Sequence, residues 1–284
     1  MNQTHRIVAT LLMFAWMGTA MAQETATLVA TFRYLGDPPA TRRITPHLDR
    51  PCCGQVPLLD ERLIVDPANH GIRNVVLYVY TGRRGTVLPK QDSQPEQQLL
   101  TIKHCRFQPH ILLARKGDTL RVEDNDPVGH NANFQFFNNA PLGITRPVGA
   151  PWQRSLEESE PAPVSIRCNI HPWMNAWILV LDHRLAGISD ENGKLEITGL
   201  PVGERIVFRT FHESARIQQV VVNGKNETWK SSKFERVLDP GVNDLGVVEI
   251  QASAFKIDPK LGSPRAEDGT EDDRKMGGRK MGRS

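Results

Sequence analysis

Apolar positions along this chain recur mostly with the period of strands, in short runs separated by turn residues. Residues 26–34 are β-branched and roughly alternating, and Gly36-Asp37-Pro38-Pro39 stops them, so they predict a strand. Residues 75–80 are apolar without interruption between Asn74 and Thr81-Gly82, the mark of a buried sandwich strand. The polar run 90–98 is a surface connection. Residues 107–113 and 119–122 then predict strands around a Lys116-Gly117-Asp118 turn, and Asp124-Asn125-Asp126-Pro127 breaks the regular structure. A polar, aromatic-studded stretch runs from 131 to 152. Val164, Ile166 and Cys168 alternate with Ser165 and Arg167, which puts the cysteine on an apolar face at a strand end. Strands are further predicted at 177–181, on both sides of the Asn192-Gly193 turn between 186 and 197, at 206–208, at 220–222 before Asn223-Gly224, and at 247–250. The fold class is therefore all-β.

The ends read differently. Residues 1–22 carry a short n-region, an apolar run and a small-residue close at Ala20-Met21-Ala22, the layout of a cleaved secretory leader. An uncleaved anchor is the alternative. The chain is expected to be exported, in a periplasm or at a cell surface, with no integral span after cleavage. Residues 253–284 are charged, Gly-rich and poor in large apolar side chains, so a disordered tail is expected there. The body divides into a first domain at 23–182, including the N-terminal strands, and a smaller β module at 183–252. The 284 residues are 39% hydrophobic with 22 Gly and 20 Pro, ample for one large core or two smaller ones. A net charge of +3 without a basic stripe is too small to argue for nucleic acid, and none is expected as a partner.

One stretch carries chemistry. In Cys168-Asn169-Ile170-His171-Pro172-Trp173-Met174 a thiol, an imidazole and a thioether recur at three-residue steps, and His130 in Gly129-His130-Asn131 is the candidate second imidazole. A soft thiolate, two imidazoles and a weak thioether form the donor set of a copper electron-transfer site. Of the seven methionines only Met174 lies in the folded body; a thioether used as core filler would recur among the strands. Zinc is the lesser rival, since it rarely takes a thioether.

Residues 116–174 resemble the cupredoxins, the plastocyanin, azurin and amicyanin superfamily: a Gly-Asp turn, a strand, an Asn/Asp-rich corner, His-Asn, and a compact Cys-x-x-His-x-x-Met loop. The wider arrangement, from Cys53-Gly54 through Cys105 and His110 to 190–193, is similar to bacterial plastocyanin-like proteins labelled methylamine utilisation proteins. The resemblance implies a Greek-key β-sandwich and one mononuclear type 1 copper ion held by His130, Cys168, His171 and Met174, with Asn131 steadying the cysteine loop. Residues 183–250 resemble a transthyretin-like, carboxypeptidase-regulatory-like β-sandwich. Two features depart from a minimal cupredoxin: the long loop at 131–163, and the distance between the N-terminal strands and the copper motif.

Three further cysteines remain. In an exported protein Cys105 is expected to pair with Cys52 or Cys53, with Cys53–Cys105 as the working pair; a second metal site combining Cys105 with His104 or His110 is the rival. His47, His70, His183 and His212 have no partner legible in the sequence. The expected function is one-electron transfer, not enzymatic catalysis, with a redox partner docking on an apolar patch at His171, Pro172 and Trp173. The alternative is a copper storage, delivery or attachment protein.

Overall fold

The strand Ala26–Leu35 buries Ala26, Leu28, Ala30, Phe32 and Tyr34 and turns Arg33 outward, as a half-buried strand requires. This computed structural model describes residues 24–89, 94–145 and 151–256. The expected leader and the 257–284 part of the expected tail lie outside the described residues. Nearly all described regular structure is β, as the alternation predicts.

The main strands form four sheets stacked face to face. Sheet I orders Lys194–Leu200, Ala26–Leu35, Gly241–Gln251, Gln219–Val222 and Lys225–Thr228; sheet II orders Ala186–Ile188, Val76–Val79, Arg205–Phe211 and Lys233–Val237. Between them lies a core that includes Phe32, Leu77, Phe208, Trp229 and Ile250. Sheet III orders Leu142–Thr145, Asn131–Phe134, Val164–Arg167, Asn175–Leu181 and Ile111–Arg115; sheet IV orders Trp152–Ser155, Thr119–Asp124, Gln97–Ile102 and Phe107–Gln108. Leu100, Leu120, Phe134, Ile166 and Ile178 fill the space between these two. Sheets II and III meet back to back through Val76, Tyr78, Ile111 and Leu179. The uninterrupted apolar run at 75–80 follows directly: Leu77 and Val79 serve one core, Val76 and Tyr78 the other interface.

Strand pairing corrects the expected extent of the first domain, 23–182. Ala26–Leu35 pairs antiparallel with Lys194–Leu200 and parallel with Gly241–Gln251, and Val76–Val79 pairs with Ala186–Ile188 and Arg205–Phe211. The N-terminal strands therefore complete the C-terminal sandwich, because only there do Leu28, Phe32 and Leu77 find an apolar face. The sandwich of sheets III and IV is inserted between Val79 and Ala186.

Three smaller expectations also change. Residues 107–113 are two strands in different sheets, separated by a cis Gln108–Pro109 peptide. The strands flanking Asn192-Gly193 belong to sheets II and I and form no hairpin, whereas Asn223-Gly224, both at positive φ, closes a true two-residue hairpin. The tail does not begin at 253: Phe255 packs on Tyr34 and on His212, with ring centroids 5.3 and 5.4 Å apart.

Candidate metal centre

All of the residues singled out by the Cys-His-Met pattern gather at one end of the inserted sandwich. Cys168 follows Val164–Arg167, which pairs with Asn131–Phe134 and with Asn175–Leu181, and His130 immediately precedes Asn131–Phe134. The 168–174 loop is closed on itself: the Met174 N–H donates to the His171 carbonyl at 2.9 Å and the Cys168 N–H to the Met174 carbonyl at 3.2 Å. His130, Asn131, Cys168, His171 and Met174 are all buried.

The Cys168 sulfur accepts the backbone N–H of Asn131 at 3.4 Å and of His171 at 3.3 Å, and His171 Nδ1 lies 3.9 Å away. Asn131 thus reaches the cysteine through its backbone. Burial pushes the Cys168 thiol up, but the His171 ring and the N–H groups of Asn131, His171 and Ile170 outweigh it and hold the thiol below its ordinary value. The N–H groups directed at this sulfur are ones that would stabilise a thiolate.

Each imidazole has one nitrogen fixed by a carboxylate. His171 Nε2 donates to Asp49 Oδ2 at 2.9 Å. A carboxylate can only accept, so Nε2 is the nitrogen that carries a proton toward Asp49, while Nδ1 is the one that faces Cys168. His130 Nδ1 donates to Asp124 at 3.2 Å, and its Nε2 is buried with no hydrogen-bond partner. The two rings lie 4.8 Å apart, centroid to centroid. A buried imidazole nitrogen left bare, with its opposite nitrogen held by a carboxylate, is how metal-binding histidines are oriented. The donor set therefore fits a soft transition metal.

The structure brings His171 to Cys168 and His130 to His171. It does not gather His130, Cys168 and His171 into one tight group: among the described residues, the close ligand groups around the histidines are Cys53 with His130 and His171, and Cys105 with Asp126 and His130. Sequence reasoning missed Asp49, Asp124 and Asp126. The last two stand just before His130 and were legible as carboxylates able to orient it. Asp49 comes from a remote, irregular segment and left no signal.

That segment overturns the expected docking patch. Residues 43–59, a ribbon of Arg43–Ile44 with Leu58–Leu59 enclosing the helix Arg50–Cys53, lie over the loop. Asp49 caps His171, which is 0% exposed, and Trp173 is 6% exposed, with its N–H on the Cys105 carbonyl and its ring against His47. Of the three patch residues only Pro172 is exposed. The cover is stapled by the Cys53–Cys105 disulfide, and Cys52 and Cys168 are the free thiols. Asp126 accepts the N–H groups of His104 and Cys105, both at 2.7 Å, and so holds the left-handed turn that aims Cys105 at Cys53.

Of the residues of the rival metal site, Cys105 is disulfide-bonded to Cys53 and His110 is engaged elsewhere. Its Nε2 bonds Glu213, which also accepts the Trp177 N–H at 3.0 Å, joining the two sandwiches. Burial pushes His110 down, but the bond to Glu213 and then the fields of Glu213 and Glu61 hold it above its ordinary value. Burial likewise pushes Glu213 up and is outweighed by His110, leaving that carboxyl below its ordinary range. Neighbouring His212 is driven by burial to about 4. His183 is structural too: its Nε2 donates to the Val79 carbonyl at 2.8 Å, and its Nδ1 accepts the Leu185 N–H at 3.0 Å.

No family model and no curated protein matches the chain. Among solved structures it is similar to a methionine-to-glutamine mutant of amicyanin in its Cu(I) form, at 17% identity over 30% of this chain and 81% of that one, with a TM-score of 0.27. It is also similar to a copper-containing nitrite reductase from Thermus scotoductus SA-01, at 18% identity over 36% of this chain, with a TM-score of 0.27. The chain spans 25% of that reductase's length. No helix among the described residues is long and apolar enough to cross a membrane.

Proposed function

We propose that this chain is an exported type 1 copper protein that carries single electrons, with His130, Cys168, His171 and Met174 as the ligands of one copper ion. The observation that carries the reading is the Cys168 sulfur, held below its ordinary pKa beside His171, with each imidazole oriented by a carboxylate. Copper in such a set supplies a one-electron couple. The chain's part is to keep the donors still. The loop's own hydrogen bonds fix Cys168 and Met174, Asp49 and Asp124 fix the two tautomers, and the 43–59 cover excludes water. Leu48, Ile170 and Pro172, all exposed around the cover and loop, make the surface a redox partner would meet.

Burial of His171 under Asp49 favours a second reading, in which copper is stored or delivered and the outer sandwich serves attachment. Voltammetry of the copper-loaded chain separates them. A carrier gives a reversible one-electron wave and keeps its copper when mixed with an apo acceptor; an irreversible wave with rapid copper loss to the acceptor supports delivery and overturns the carrier reading.

A further inference from the structure

Beside the Cys168 centre, under the same cover, lie the three other cysteines. Cys52, Cys53 and Cys105 are buried and their sulfurs all fall within 4.8 Å of one another; Cys52 Sγ is 4.0 Å from Cys105 Sγ. Cys53 and Cys105 are disulfide-bonded, so Cys52 is a thiol set against a disulfide. A staple for the cover needs two of these cysteines. The third, on the adjacent residue, is buried in the same apolar cluster with its sulfur beside that bond.

We propose that, once the Cys53–Cys105 disulfide is reduced, Cys52, Cys53 and Cys105 hold one Cu(I) as a second copper site. Three convergent sulfurs suit a soft monovalent ion, which is satisfied by few sulfur donors, whereas zinc completes a tetrahedron with a fourth. Two further observations point to a cation here. The Asp126 carboxylate, which accepts the Cys105 N–H at 2.7 Å, stands beside the Cys105 sulfur, and its charge favours a cation. The bare, fully buried Nε2 belongs to His130, which lies with Cys105 and Asp126 in one close group and with Cys53 and His171 in another. An ion on the three sulfurs would thus sit next to the histidines of the Cys168 centre.

The redox step balances with a dithiol as reductant. Two electrons and two protons pass from the dithiol to Cys53 and Cys105, which become thiols while the dithiol becomes a disulfide. Binding of Cu(I) then displaces the thiol protons. Reoxidation by a disulfide reverses the first step and releases the ion.

The inference does not depend on electron carriage at Cys168, and its test removes that centre. The Cys168→Ala chain is reduced by a phosphine without air, three alkylatable thiols are verified by mass, and Cu(I) is titrated against the chelator bathocuproine disulfonate. The reduced chain should retain one Cu(I) per chain and the disulfide form none. X-ray absorption should show mainly sulfur neighbours, with at most one nitrogen, that of His130. Adding Cys52→Ser, which leaves the disulfide pair intact, should weaken retention by at least the roughly 10–100-fold that losing a group merely supporting a ligand costs. Equal retention by the reduced and disulfide forms, unchanged affinity in the serine variant, or displacement of Cu(I) by equimolar Zn(II) would each overturn the proposal.

Discussion

Glu213→Gln probes the clasp between the two sandwiches. Glu213 is 8% and His110 4% exposed at the side chain, so water cannot replace a lost partner. The glutamine keeps the shape and can still accept the Trp177 N–H; what disappears is the charge in the bond to His110. A hydrogen bond to a charged group contributes about 1.5–3 kcal/mol, so the variant should lose about 2 kcal/mol of unfolding free energy near pH 5.5. The loss must depend on pH. His110, raised in the fold, contributes stability that is full below its unfolded value of about 6.5 and fades as pH climbs through its folded value. Glu213, lowered in the fold, contributes stability that is present above its unfolded value of about 4.3 and fades as pH falls through its folded value. The clasp is therefore worth most between those two unfolded values, and the difference between wild type and Glu213→Gln should shrink by pH 9. Urea unfolding followed by circular dichroism at both pH values measures it. A difference below about 0.5 kcal/mol at pH 5.5, or one that is the same at pH 9, would refute the reasoning.

Two other substitutions test the fold. Replacing Cys53 and Cys105 with alanine removes a link spanning 52 residues; the loop-entropy relation puts the cost at about 4 kcal/mol, read as a lower urea midpoint, and His171 should become reachable by diethyl pyrocarbonate. Gly193 has φ +76°, and a Cβ there would lie 2.1 Å from the Phe32 carbonyl oxygen. Gly193→Ala should therefore cost more than the roughly 1–2 kcal/mol of an L-residue in the left-handed region alone; an unchanged melting temperature would contradict the close approach.

The candidate site was legible where its ligands share one loop. Cys168, His171 and Met174 announce themselves by spacing, and the lone body methionine by its isolation. The cover was not legible, because residues 43–59 have no periodicity and meet the loop through single contacts, Asp49 on His171 and His47 on Trp173, while Cys53 ties them to Cys105. Strands were mostly visible from alternation, but alternation says which face is buried and not which sheet receives it. Ala26–Leu35 consequently went to the wrong sandwich. Pro109 was a visible warning that 107–113 could not be one continuous strand. His110, His183 and His212 show the converse: their partners, Glu213, Val79 and Phe255, lie far away in sequence or across a sheet boundary.

The central claim is that Cys168 binds copper as a thiolate in company with His130 and His171. The visible and electron-paramagnetic spectra of the copper-loaded chain, recorded beside those of Cys168→Ala, test it most directly. An intense thiolate-to-copper absorption and a narrow copper hyperfine splitting, both abolished in Cys168→Ala, are expected. A pale or colourless protein whose spectra are the same in the variant would contradict the account.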